Sequence, residues 1–387
     1  MIDTSKAFLK IVKAETVDCG DNVFQCGSLS EEEGEALYAL SASHDLAHIV
    51  GDYVLKNRLL VDGSVKRKFE KATMTAVYRY ENMNAEIGRI CDLFEEVGVE
   101  FVLLKGAFVR GFYPEPWQRT SCDADILIKE TEIDKAVKFL TERLDYKLEA
   151  KNYHDYSLFS NSGVHVELHF SLNENIEDYD KILSRAWDYA KPKQGRKYER
   201  FFENEFVMFH LFAHSAYHFS RGGCGVRVVL DFCILNRRLS FSREALCELL
   251  KEAGLKDFAD NISLLAEVWF GEKEHTELTP FVGRFILSGG VYGTGKNHVA
   301  VQQAERKGKF CNIMARIWLP YKNLVIEYPF LKGRRILQPF YEFKRWCRLF
   351  KKDARKRCAA ELKNNFGADE ENVENVKKML SELGLKY

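Results

Sequence analysis

The sequence predicts an α+β protein: a small mixed sheet flanked by helices, with helical N-terminal and C-terminal regions. Three observations carry this expectation. Helical apolar spacing dominates residues 1–95. Short apolar runs then alternate with amphipathic stretches over 99–170 and include a hairpin signal. Helical spacing returns from about 200. A strand–helix–strand–helix–strand–strand order builds a small mixed sheet. A chain of 387 residues is long enough for two or three compact units, which we place at 1–95, 96–192 and 193–387.

Taken in order, Ser30-Glu31-Glu32-Glu33 has the form of a capping box and opens a helix carrying Leu37 and Leu40. Over 66–97, Met74, Val77, Ile87, Ile90, Leu93, Phe94 and Val97 recur near helical spacing, and Gly98 supplies the stop. The run 99–104 predicts a buried strand. A short helix over 107–113 ends at Pro114-Glu115-Pro116, because proline cannot continue it. The run 123–129 predicts the next strand. An amphipathic helix over 130–144 carries Ile133, Val137 and Leu140 on one side. Strands follow at 146–150, 156–160 and 164–170, the last two joined by the turn Asn161-Ser162-Gly163. Beyond 200 the clearest helices are 206–219 and 226–239.

Composition excludes several classes. Hydrophobic residues at 46% and charged residues at 29% do not suit a disordered chain. Lys+Arg and Asp+Glu both number 57, so no global positive field invites nucleic acid, and no DNA-binding motif is present. The N-terminal segment lacks an unbroken apolar core, and no apolar window is long enough for a membrane span. None of the ten cysteines forms a Cys-x-x-Cys pair. We read them as reduced thiols of a cytoplasmic protein, most of them packing residues.

The densest chemical signal is Ser121-Cys122-Asp123-Ala124-Asp125. Strand side chains alternate faces, so Asp123 and Asp125 point to one side. Two like charges that close repel unless a cation sits between them, and hard Mg²⁺ prefers carboxylate oxygen. In Val164-His165-Val166-Glu167-Leu168-His169 the residues Val164, Val166 and Leu168 face the core, with His165, Glu167 and His169 opposite. If this strand pairs beside the aspartate strand, Glu167 becomes a third carboxylate, and the three can hold two Mg²⁺ ions (or Mn²⁺). Upstream, Leu104-Lys105-Gly106-Ala107 leads a strand into a glycine turn that opens a helix, a geometry that offers N–H groups to phosphate. Lys105 and Arg119 add positive charge. A glycine turn, two cations and three carboxylates suit nucleotidyl transfer.

The residues 100–106, Tyr113-Pro114-Glu115-Pro116, Arg119, Asp123-Ala124-Asp125 and Val166-Glu167-Leu168-His169 resemble the bacterial uncharacterised nucleotidyltransferases of the DNA polymerase β superfamily. The likeness is strongest over about 85–170 and continues through Gly290-Val291-Tyr292-Gly293 and Tyr328-Pro329. It implies a minimal nucleotidyltransferase sheet, Mg²⁺ dependence and an NTP donor. By motif, Asp123 and Asp125 would bind metal, Glu167 would be the third carboxylate, and Lys105 and Gly106 would hold the triphosphate. His214, Arg227 and Asp231, with His169, would line a substrate cleft. The acceptor (small molecule, protein or RNA) is not legible.

Other signals have plainer readings. His210, His214 and His218 share a helix face; a Zn²⁺ site is conceivable, but a polar face above buried Phe209, Leu211 and Phe212 is the expectation. His44, Asp45 and His48 suggest a metal phosphohydrolase, yet ordinary helix surface is expected. The Gly290–Asn297 segment imitates a phosphate loop but has Asn297 after Lys296, so we expect a flexible turn. The basic segment 296–357 holds 17 Lys/Arg against 4 Asp/Glu. It suits RNA, a membrane surface or an anionic substrate, against a solvated helix face with Trp346 and Phe350 packed inward. A catalytically silent binding module on the same fold is the rival to a working enzyme.

Overall fold

The computed structural model describes residues 3–18, 28–60, 63–291, 293–306, 308–350 and 352–385. Cys19, Cys26, Tyr292 and Lys351 lie outside the described residues. Four helices come first: α1 (Thr4–Thr16), α2 (Glu31–Ser43), α3 (Ala47–Lys56) and α4 (Ser64–Val97). The capping box at α2 forms: Ser30 Oγ accepts from the Glu33 N–H at 3.2 Å, and Glu33 Oε2 accepts from the Ser30 N–H at 3.2 Å. Helix α4 stops at Gly98, whose φ of 69° is the left-handed cap that glycine adopts without strain.

The sheet region follows as β1 (Phe101–Leu103), α5 (Lys105–Val109), β2 (Asp123–Ile128), α6 (Ile133–Arg143), β3 (Lys147–Lys151), β4 (Asp155–Phe159), β5 (His165–His169), α7 (Glu177–Leu183), β6 (Ala190–Pro192) and β7 (Glu199–Phe202). The seven strands lie in the order β3-β4-β5-β2-β1-β7-β6. Strand β2 runs antiparallel to β1 and parallel to β5. The fold is therefore the mixed α+β sheet flanked by helices that the sequence predicts. Strands β6 and β7 were not expected, because they are short and carry no apolar run. Their approach to the sheet is fixed at long range. The Glu95 carboxylate on α4 accepts the N–H groups of Lys197, Tyr198 and Glu199 at 2.9, 2.8 and 2.6 Å, and β7 then pairs with β1.

Alternation sorts the two sheet faces. Ala124, Ile126, Ile128, Val166 and Leu168 pack against Ile90 and Phe94 of α4 and Leu140 of α6. On the other face Val102 and Leu127 join a larger apolar cluster that runs from Phe8 to Leu385. That cluster includes α8 (Asn204–Phe219) and α9 (Val226–Arg238), joined by the stacked rings of Phe212 and Phe232 with centroids 4.1 Å apart. The remaining helices are α10 (Arg243–Glu252), α11 (Lys256–Phe270), α12 (Thr279–Gly289), α13 (Gly295–Arg306), α14 (Lys309–Ile317), α15 (Tyr321–Glu327), α16 (Gln338–Trp346), α17 (Lys352–Phe366) and α18 (Glu370–Glu382).

Several expectations are corrected. Within the Gly290–Asn297 stretch, Gly290 and Gly293 mark tight backbone crossings. Gly290 and Gly293 have φ of 63° and 78°, and a Cβ would lie 2.7 Å from the Ser43 carbonyl and 2.0 Å from the Gly222 carbonyl. The glycines serve close approach here. Gly293→Ala should cost about 1–3 kcal/mol of stability, read from urea unfolding. His44 and His48 are buried instead of lying on a helix surface. His44 Nε2 meets the Leu287 carbonyl at 3.2 Å and His48 Nε2 the Gln118 carbonyl at 2.8 Å. Among the described residues these two do not gather with Asp45 into a metal-binding group. All eight described cysteines are free, but only Cys91, Cys224 and Cys233 are buried, so packing explains fewer of them than expected. Phe350 and Trp346 are exposed, because Gln338 and Glu342 take the inward side of that helical run.

Candidate active site

Strand β2 begins at Asp123, so the first two outward positions of its open face are both aspartates. The parallel partner β5 sets Asp125 opposite Glu167, Asp123 opposite His165 and Leu127 opposite His169. This register brings Glu167 to the aspartates. Two compact groups result. Oxygen and nitrogen atoms of Asp123, His165 and Glu167 all lie within 4.8 Å of one another, and so do those of Asp125, Glu167 and His169. Glu167 is common to both.

The two aspartates differ electrostatically. Asp125 is buried, and burial alone would raise its pKa. Lys105, whose Nζ stands 3.5 Å away, and His169, whose Nε2 donates to its Oδ1 at 3.1 Å, outweigh that and hold the carboxyl well below the usual range. His169 responds in kind: against the effect of burial, its bonds to Asp125 and Glu167 lift it to about 9. Asp123 is pushed the other way, by burial and then by the Asp125 charge beside it. Within the described residues its carboxylate makes no hydrogen bond or ion pair. A carboxylate held beside two others with no cation of its own is a site that a divalent ion would satisfy.

Lys105 follows β1 and opens α5, in the turn supported by Arg110, whose Nε donates to the Gly106 carbonyl at 3.0 Å. Lys105 Nζ also donates to His214 Nε2 at 3.1 Å. That bond leaves the proton of His214 on Nδ1, which donates to Glu174 Oε1 at 2.8 Å. The polar face that His210, His214 and His218 share on α8 therefore turns inward, towards the sheet end, while Phe209, Leu211 and Phe212 are buried as expected. Helix α8 is apolar almost all round, so its polar row has only the site to face.

Burial first, and then the positive surroundings set by Lys105, lower His210 and His218 to about 3. Both fold as neutral rings, against 6.5 for a free imidazole. Above pH 6.5 they leave stability unchanged. As pH falls from 6.5 towards 3, the unfolded chain takes up protons that the folded chain refuses, and stability is lost. His210 alone contributes about 1.4 kcal/mol per pH unit in that window. His210→Gln should flatten the slope between urea midpoints measured at pH 7 and pH 5.

A cavity of about 300 Å³ lies between the sheet end and helices α8 and α9. It collects nine of the ten residues the sequence singled out: Lys105, Gly106, Arg119, Asp123, Asp125, Glu167, His214, Arg227 and Asp231. His169 lines an adjoining cavity with Lys105, Glu167, Glu174 and the histidine row. Arg119 is held by its neighbours: its Nε donates to both oxygens of Asp231 at 2.8 and 3.0 Å, and its Nη1 to the Thr120 carbonyl at 2.6 Å. Tyr113 Oη donates to the same Asp231 at 2.6 Å. Arg227 bonds Asp45 at 2.6 Å. Sequence reading missed Tyr113, Arg110 and Glu174 as partners of the site. Glu174 stands alone in a loop and offered no pattern to find.

The sheet and its acidic end define an α+β protein with a carboxylate cluster facing a helical wall. The chain belongs to the family described as uncharacterised nucleotidyltransferase, whose model matches residues 30–271, from the start of α2 to the end of α11. No curated protein and no solved structure matches it. Membership makes nucleotidyl transfer the general activity and an NTP the implied substrate. Among the described residues no helix is long and apolar enough to cross a membrane.

Proposed function

We propose that the chain moves a nucleoside monophosphate from an NTP to an acceptor hydroxyl, releasing pyrophosphate, at the Asp123–Asp125–Glu167 end of the sheet. The observation that carries this reading is the β2–β5 register, which sets Glu167 directly beside Asp125. The oxygen donors of the three carboxylates suit two Mg²⁺ ions, or Mn²⁺. When bound, these would neutralise the triphosphate and lower the pKa of the acceptor hydroxyl.

The chain's own residues do the rest. Lys105 and Gly106 hold the phosphates at the turn after β1. Arg119 contributes a fixed positive charge from its buried pair with Asp231. Glu167 takes the acceptor proton as the acceptor oxygen bonds to the α-phosphorus and the bond to the β-phosphate oxygen breaks. His169, His214, Arg227 and Asp231 wall the cleft and orient the acceptor. Catalysis in this scheme is positioning and charge stabilisation, as in phosphoryl transfer at large. Residues 96–192 form the catalytic core, extended by β7, between the helical regions 1–95 and 193–387.

The test is incubation of the purified chain with each labelled NTP, Mg²⁺ and a cell extract. One NTP should lose pyrophosphate and leave its label on one acceptor, and Glu167→Gln should stop both. Label that persists unchanged in Glu167→Gln rejects the assignment. Mg²⁺-dependent NTP binding without turnover points instead to a binding module.

A further inference from the structure

The 3₁₀ turn Arg335–Leu337, helix α16 and the 3₁₀ turn Cys347–Phe350 follow one another without a break. On this run Ile336, Phe340, Phe343 and Phe350 recur at helical spacing and are 93, 64, 63 and 84% exposed. The opposite side holds Gln338 and Glu342, both buried. Gln338 Nε2 donates to the Leu319 carbonyl at 3.0 Å. Glu342 accepts from the Leu319 N–H at 2.6 Å and from Arg345 Nε at 2.9 Å. The helix is inverted, with its polar side inward and its apolar side in water. A surface helix ordinarily does the opposite. Each phenylalanine left out forgoes about 1.5–3 kcal/mol of burial.

Helix α14 repeats the inversion. Phe310, Met314 and Ile317 face out, while Asn312 is buried and donates to Asn365 Oδ1 at 2.8 Å. The two stripes meet where the Trp318 and Trp346 rings lie 6.4 Å apart and Trp346 Nε1 donates to the Ile317 carbonyl at 2.8 Å. The stripes adjoin at the C-terminal ends of the two helices.

The surrounding charge selects its occupant. Residues 329–352 contain eight Lys/Arg and a single acid, Glu342, which is buried against Arg345. Arg334, Arg335 and Lys344 are exposed beside the stripe. A second copy of the chain would bring the same positive charges against themselves across a two-fold interface. Nucleic acid would use the charges and the phenylalanine rings, but it would leave the aliphatic Ile336, Met314 and Ile317, exposed in the same stripes, without an apolar partner. Hydrocarbon edged by anionic headgroups satisfies both sets of side chains. We propose that the face built by α14 and α16 is a peripheral docking surface for a bilayer of anionic phospholipid. The apolar stripe enters the acyl boundary, and the Arg and Lys side chains meet the phosphates. The surface is independent of the transfer chemistry.

The experiment is flotation of the full chain with vesicles of phosphatidylcholine, with and without phosphatidylglycerol. The chain should float only with the anionic vesicles and be released by high salt, and its tryptophan emission should shift to the blue on binding. The double variant Phe340→Glu, Phe343→Glu should lower partitioning by about tenfold or more. Ile336→Glu, at the most exposed position, should weaken it without disturbing the fold, checked by circular dichroism. The proposal is overturned if the wild-type chain stays off anionic vesicles, or if both stripe variants float as it does. It is equally overturned if the chain ignores vesicles and instead forms a dimer that Phe340→Glu separates, or retains RNA.

Discussion

Turnover of NTP is expected to fall by roughly three orders of magnitude in Asp123→Asn. The change keeps size and shape and removes one negative charge. Asp123 makes no internal hydrogen bond or ion pair among the described residues, so the fold loses nothing when it goes. Its pKa is raised by burial and by the neighbouring Asp125 and Glu167 charges, which means that folding works against its ionisation. The metal-free variant should therefore melt at or above the wild-type temperature while its activity disappears. Mg²⁺ should raise the wild-type melting temperature and leave the variant unchanged, because ligand binding stabilises only the form that binds. Wild-type activity in Asp123→Asn would remove the carboxylate centre from the proposed reaction. An unchanged response to Mg²⁺ would place the ion elsewhere.

The largest effect on stability is expected at the Arg119–Asp231 pair. Both side chains are buried, and Asp231 accepts from Arg119 and Tyr113 together. Removing one partner leaves the other as a buried charge without its counter-ion, at a cost of about 3–5 kcal/mol. Asp231→Ala should lose that much in urea unfolding. Tyr113→Phe, which deletes one hydrogen bond to the same carboxylate, should lose about 1.5–3 kcal/mol. Replacing both members at once, Arg119→Met with Asp231→Leu, should recover much of the loss, since a well-packed apolar pair avoids the desolvation that the ions suffer. The outcome also bears on Arg119 itself. If the double variant is stable and binds NTP with wild-type affinity, the arginine is a strut between the segment before β2 and helix α9 and not a phosphate contact.

The sequence made much of the local structure legible. Alternation put Asp123 and Asp125 on one side of their strand, and His165, Glu167 and His169 opposite Val164, Val166 and Leu168, and the structure has those sides, although Asp125, Leu127 and His169 are buried as well. The Ser30 cap and the Gly98 stop were readable for the same reason: each is decided within a turn of the chain. The spacing of the α8 histidines gave them a shared face without saying what that face would meet. It meets Lys105 and the acidic sheet end.

What the sequence determined by itself is which residues share a side of the strands and helices it revealed and where some of them start or stop, as at Ser30 and Gly98, because backbone sterics, capping and apolar spacing act over a few residues. The tertiary structure alone decided which sides meet. It set Glu167 beside Asp125, committed Arg119 to a carboxylate more than a hundred positions away, attached β7 to the sheet through Glu95, and turned the phenylalanines of α16 outward. Those outcomes depend on pairings between distant segments, which the pattern within any one segment does not encode.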